Sequence, residues 1–211
     1  MRSRTFAAFA LCATLLVGCA TTTFTDTWKA PDQAALDPHG QKVAAVFISM
    51  DETSRRAAED ELVRKLAEHG AAGVASYTLI SSEDLHDMER VKQRLMAAGV
   101  DGIVTLRVVD ETEKTRVSYD YASPAFGSYY GSFSDYWLYG WTRPFTPAEV
   151  TTTTILRIET LVYSLKRDTL LWAGTSRTSN PSKVTRLVAE VADAAARQMS
   201  KQGLLLADNA R

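Results

Sequence analysis

Val43-Ala44-Ala45-Val46-Phe47-Ile48 is a continuous apolar run, the pattern of a strand buried on both faces. The residues after it decide how that strand is covered. A helix over residues 53–69 places Ala58, Leu62, Val63 and Leu66 on one apolar face, and Gly70 supplies its stop. Val74 to Ile80 reads as a second strand. Ser81, with Asp84 three residues on, resembles a capping box. It opens a helix with Leu85, Met88, Val91 and Leu95 on one side, closing at Gly99. Asp101-Gly102 then leads into Ile103 to Val109, a third strand. This β-α-β-α-β order favours parallel strands joined by right-handed crossovers.

The second half has a different rhythm. Thr151 to Leu165 is a long β-rich run in which Thr154, Leu156, Ile158, Thr160 and Val162 share one face, with Arg157 and Glu159 opposite. Arg167-Asp168 turns the chain into Leu170 to Ala173, an antiparallel partner. Asn180 caps and Pro181 starts a final helix with Val184, Leu187, Val188, Val191, Ala195 and Met199 as its stripe, ended by Gly203. The expected fold is α/β with α+β character in its second half. It is a mixed sheet with about three helices in the order β-α-β-α-β-long loop-β-β-α, forming one domain over residues 42–205. Residues 19–41, punctuated by Ala30-Pro31-Asp32, Asp37-Pro38 and His39-Gly40, read as a tether. Phe24 and Trp28 allow part of it to pack as an edge strand.

Between the halves, residues 119–145 hold eleven aromatics, and only six others lie outside the first eighteen residues. Pro124, Gly127, Gly131, Gly140 and Pro144, interleaved with serines, break any helix or long strand across 122–147. A loop this long is usually functional or disordered. Tyr and Trp give rigid amphipathic contact area while Ser and Gly adapt, the mixture that binding loops use. Trp137 and Trp141 are the best anchors for a partner, with Tyr129, Tyr130 and Tyr139 around them. A protein, a sugar face or the membrane interface suits such a surface. The plainer alternatives are a loop folded over the domain's own core and a polar-aromatic insert without fixed structure.

Catalytic signatures are missing. No glycine-rich phosphate loop follows a strand, and Gly127-Ser128 and Gly131-Ser132 lack the spacing of a nucleophile elbow. His39, His69 and His86 have no second ligand at i+3 or i+4 in a metal-site pattern. Asp51 and Glu52 sit at the carboxyl edge of the first strand, where open α/β sheets place ligands. Where the first and third strands are neighbours, Asp110 and Glu111 approach them and make a cation or acid-base site. A helix-start pairing and a solvated strand end explain them more simply. Glu59, Asp60 and Glu61 read as a solvated helix face. The expectation is a non-enzymatic protein with no cofactor and no metal.

At the amino end, Arg2 and Arg4 precede an apolar run from Phe6 to Val17, too short for a span of about 20 residues. Leu16-Val17-Gly18-Cys19 resembles the lipobox of bacterial lipoproteins. That resemblance implies that residues 1–18 are a signal peptide, cleaved before Cys19, and that the Cys19 thiol receives diacylglyceryl. Acyl chains contribute about 0.8 kcal/mol per buried CH2, so two or more anchor stably. Ala20 follows where an acidic residue marks inner-membrane retention in such lipoproteins, which points to the outer membrane, facing the periplasm. Cys12 and Cys19 are the two cysteines, leaving no thiol for a disulfide, zinc site or nucleophile. Without Arg2 and Arg4, 22 basic residues face 25 acidic ones, a balance that argues against nucleic acid.

The chain is also similar to small envelope lipoproteins with a domain of unknown function. The resemblance rests on the lipobox, Asp101 to Arg107, the Tyr/Gly insert, Leu171 to Ser176 and the Asn180-Pro181 helix start. Its element order is similar to the amino-terminal domain of the TolB translocation protein, a likeness of fold that licenses no function. The expected role is envelope-associated interaction or assembly through the aromatic loop, with a protein or glycan partner. A glycan- or lipid-binding module is the alternative.

Overall fold

The computed structural model describes residues 22–118 except 32, residues 132, 134 and 137, and residues 149–205. Six strands form one sheet in the order β1-β6-β5-β4-β2-β3. They are β1 (Thr22–Lys29), β2 (Lys42–Ile48), β3 (Ala72–Ala75), β4 (Gly102–Ser118), β5 (Glu149–Ser164) and β6 (Thr169–Ser179). β2 runs parallel to β3 and β4, whereas β4–β5, β5–β6 and β6–β1 are antiparallel. The described helices are α1 (Glu52–Glu68), α2 (Met88–Ala97) and α3 (Val184–Lys201), with short 3-10 turns at Ser76–Thr78 and Ser82–His86. From β2 onward the mixed sheet and its three described helices follow the element order read from the sequence.

Alternation along β2 explains the layering. Ala45 and Phe47 join Leu106, Ile158, Ala58, Leu62, Leu187, Val188 and Val191 under α1 and α3. Ala44, one residue out of phase, packs on the other face with Ile80, Leu95, Val100 and Leu165 beneath α2.

Several boundaries differ from the sequence reading, each for a local reason. The segment read as tether contributes β1, the edge-strand option that Phe24 and Trp28 held open. Phe24 meets Trp172 edge-on at 5.4 Å. The Trp172 indole N–H donates to Gln202 Oε1 (2.8 Å), and Gln202 Nε2 donates to Thr27 Oγ1 (2.8 Å). Gly174 lies between these rings, and a Cβ there would collide with both Trp172 and Phe24. The expected strand Val74 to Ile80 stops at Ala75, because Ser76 and Tyr77 turn away to hydrogen-bond Glu59. Ser81 stands at the start of the 3-10 turn Ser82–His86 and not of α2, and its side chain makes no cap hydrogen bond to the backbone. Its hydroxyl donates to Asp84 (2.7 Å), and α2 starts later with Asp87 accepting from the Arg90 N–H (3.1 Å). Asn180 is not a helix cap either. At φ 50° it closes the end of β6, its amide N–H donating to Thr154 O and its Oδ1 accepting from Thr154 N–H.

Glu59 is the largest departure. Expected on a solvated face, it is 0% exposed. Its Oε1 accepts from Phe47 N–H (3.2 Å), Arg55 Nε (3.1 Å) and the Ser76 hydroxyl (2.7 Å), and its Oε2 accepts from Tyr77 N–H (2.8 Å). One carboxylate thereby joins α1, the end of β2 and the turn after β3.

Candidate functional site

The two longest strands of the sheet flank the segment that holds the aromatic residues named from sequence. β4 and β5 pair without a break in their order from Gly102↔Ser164 to Ser118↔Glu149, with one irregularity near Val109. Their neighbours stop early. β2 ends at the pair Ile48↔Arg107, and β6 ends at Ile155↔Ser179. From Glu113↔Thr154 to Ser118↔Glu149 the two strands therefore form a ribbon that, among the described residues, no other strand flanks. Six pairs at about 3.4 Å each extend it roughly 20 Å.

The ribbon's sequence explains why it stands clear. β4 is exposed from Arg107 to Ser118, and its Asp, Glu, Thr, Lys and Arg residues leave no apolar row to bury. Threonines at 151–154 supply β propensity without a core, and Thr115 meets Thr152 across the strands at 3.5 Å. Two-stranded ribbons are marginal in isolation, so this one depends on the sheet at its base.

The ribbon leads into and out of residues 119–148, the aromatic segment. Trp137 is 54% exposed. Trp141, Tyr129, Tyr130 and Tyr139, together with the loop boundaries 122–147, lie outside the described residues, as do Cys19 and residues 1–18.

The carboxylates expected near the strand ends have local partners. Asp51 caps α1, accepting from Ser54 N–H (3.0 Å), and hydrogen bonds from Ser54 hold its pKa below the usual carboxylate value. Glu52 pairs with Arg56 (2.8 Å) and approaches Arg55 (3.5 Å). Asp110 accepts from the Thr112 hydroxyl (3.2 Å) on the exposed strand. His39 pairs with Asp37 (3.0 Å), and His69 Nε2 lies 3.6 Å from Asp193. Among the described residues, no three His, Cys, Asp or Glu side chains converge as a metal site requires.

One described helix property bears on membrane contact: none is long and apolar enough to cross a bilayer. Sequence reasoning missed the orphaned hydroxyl of Thr160, which is 2% exposed. Its signal was present, since Thr160 interrupts the inward row Leu156, Ile158, Val162.

No family model matches the chain, and no curated protein matches it. Similar solved structures include the PelC dodecamer from Paraburkholderia phytofirmans, 11% identical over 82% of this chain and 94% of that one, with a TM-score of 0.45. The lipoprotein GNA1162 from Neisseria meningitidis is 13% identical over 76% of this chain and 99% of that one, with a TM-score of 0.41.

Proposed function

We propose that this chain is an envelope lipoprotein, anchored through Cys19, that acts without catalysis by presenting its aromatic segment to an envelope partner. This reading includes the family resemblance to small envelope lipoproteins, the TolB-like element order, and an outer-membrane, periplasm-facing location.

The carrying observation is that Thr22, the first described residue after Cys19, and the ribbon lie at the same end of the sheet. Thr22, at the start of β1, pairs with Thr178, which pairs with Leu156, which pairs with Glu111. β4 and β5 continue past that row into the ribbon. Cys19 precedes Thr22 by three residues, a reach of about 10 Å at full extension. Strands twist by about 20–25° per step, so the ribbon diverges from β1 without reversing direction. An anchored Cys19 then keeps the described end of the ribbon on the side of the domain that faces the membrane. Confinement there raises its effective concentration for neighbours in that membrane.

The same geometry favours one second reading, in which the aromatics contact lipid directly, because Trp and Tyr concentrate at membrane–water interfaces. Deleting residues 122–147 tests both. The deletion is expected to leave a folded domain whose crosslinked partners in the native envelope are lost, and an unchanged crosslinking profile sinks the partner reading. Loss of Trp fluorescence changes on adding lipid vesicles, without loss of crosslinks, favours the lipid reading. A response to peptidoglycan fragments instead marks a glycan site.

A further inference from the structure

Register places two arginines side by side on the sheet face opposite α1 and α3. Arg157 of β5 lies directly across from Arg177 of β6, and Arg177 lies across from Thr23 of β1. Their neighbours Ile158 and Ser176 are buried, Ile158 in the core beneath the two helices. Strand alternation therefore points Arg157 and Arg177 outward together. Both are exposed, and among the described residues neither side chain has an ion pair or hydrogen bond. Like charges directly opposite across a strand pair are destabilising.

The acids of this face do not neutralise the pair. Asp110 is the β4 register partner of Arg157, but it accepts from the Thr112 hydroxyl (3.2 Å). Glu159 is held by Arg107 (3.0 Å), and Asp26 lies across from Thr175. Lys114 and Arg116 continue the face along the ribbon, and Glu149 follows at the last pair. Glu111 and Glu113 lie on the ribbon's other face. The helix on the arginine face, α2, packs near Ala44 and Leu165 at the far end of the sheet.

The anchor end identifies the partner. Cys19 precedes Thr23 by four residues, a reach of about 14 Å at full extension. A lipid on Cys19 holds headgroup phosphates close to Arg177, and the guanidinium fork matches phosphate oxygens. Trp28 is 46% exposed on the same face, across from Ala173, and Trp concentrates at membrane–water interfaces.

We propose that Arg157 and Arg177 bind anionic phospholipid headgroups in the membrane that holds Cys19, turning this sheet face to the bilayer surface. The proposal rests on the Cys19 anchor, and its test separates the two.

The full chain from its native membrane fraction is reconstituted on vesicles of phosphatidylcholine, alone or mixed with phosphatidylglycerol. Flotation on phosphatidylcholine alone reports the anchor, and phenylglyoxal labelling read by mass spectrometry reports each arginine. Phosphatidylglycerol is expected to cut labelling of Arg157 and Arg177 about fivefold, the equivalent of about 1 kcal/mol per basic residue at an anionic surface. Arg197, exposed on α3, should label equally on both vesicles. High salt should reverse the protection. Arg177→Gln is expected to keep the melting temperature and to raise Arg157 labelling on the anionic vesicles about twofold or more. Flotation on both vesicles with equal labelling overturns the arginine site and keeps the anchor. Flotation on the anionic vesicles alone, with both arginines protected, supports the site and removes the anchor. Flotation on neither overturns both. Equal protection by inorganic phosphate at the headgroup concentration, or protection that extends to Arg197, overturns the lipid surface as the partner.

Discussion

Two acidic stretches of this chain meet opposite fates. Glu59-Asp60-Glu61 lies on α1, and Asp110-Glu111-Thr112-Glu113 lies on β4. In the first, Glu59 is fully buried and accepts four hydrogen bonds. In the second, every residue is exposed. Composition does not separate them, but phase does. The buried residues of α1 are Arg55, Ala58, Glu59 and Leu62, one face at spacings of three and four. On β4 from Arg107 onward every residue is exposed and neither face carries a continuous apolar row, so its acids stay in water. The domain body thus adds a few committed polar contacts to its apolar core, while the ribbon has backbone pairing and the Thr115–Thr152 contact but no core.

The strongest way to break this contrast is Glu59→Ala. It leaves the buried Arg55 with only Glu52 (3.5 Å) and the Ser76 hydroxyl (3.3 Å), and removing one member of a buried pair costs about 3–5 kcal/mol. Urea denaturation of the variant is expected to show a loss of that size. A paired change, Arg55→Met with Glu59→Leu, removes both charges and is expected to recover most of it. A loss under about 1 kcal/mol for the single change would mean that the carboxylate is not the fastener described here.

The next effect concerns β1. Gly174→Ala places a methyl against Trp172 and Phe24 and is expected to cost about 1–3 kcal/mol by overpacking. Near-ultraviolet circular dichroism of Trp172 reports the same disturbance. An unaffected variant would make β1 a loosely associated strand and restore the tether reading of residues 22–29.

This marks the limit of what was legible. Long elements with a single apolar face, such as α1, β5 and α3, were readable because burial imposes their period. β1 was half legible, since only Phe24 and Trp28 hint at packing in an otherwise polar run. The extension of β4 past Val109 was not, because a strand exposed on both faces leaves no hydrophobic period. Glu59 was misread because its partners come from β2 and the turn after β3, far away in sequence. Of the candidate site, the aromatic composition was visible, but its common end with β1 is a property of register alone. Thr160 was assigned to the correct face, and only three-dimensional packing leaves its hydroxyl without a partner.

A third effect is a pH dependence located in the body. Asp84 is buried, accepts from the Ser81 hydroxyl (2.7 Å) and Arg90 (2.7 Å), and pairs with Arg94 (2.6 Å). The Ser81 hydrogen bond, then that from Arg90, hold its pKa below the ordinary value. An unfolded aspartate titrates near about 3.9, so between the two values the unfolded chain binds more protons and stability rises with pH. The contribution is full above about pH 4 and is lost as pH falls through the depressed folded value. Asp84→Asn is expected to flatten this acid limb in denaturation series run from about pH 5 downward. An unchanged slope would remove Asp84 from the contacts that distinguish body from ribbon.

The smallest expected effect is on the ribbon itself. Glu113→Gln and Thr115→Ala change exposed side chains on a strand flanked by no other beyond β5. Surface substitutions away from caps, cores and networks usually stay within about 0.5 kcal/mol. Domain stability should therefore stay within that range in both variants. Hydrogen exchange should meanwhile be faster in β4 past Glu113 than at Leu106, because local opening follows sparse burial. Equal protection along the whole of β4 would mean that something covers the ribbon, and the segment it carries would then be held against the body and not offered to a partner.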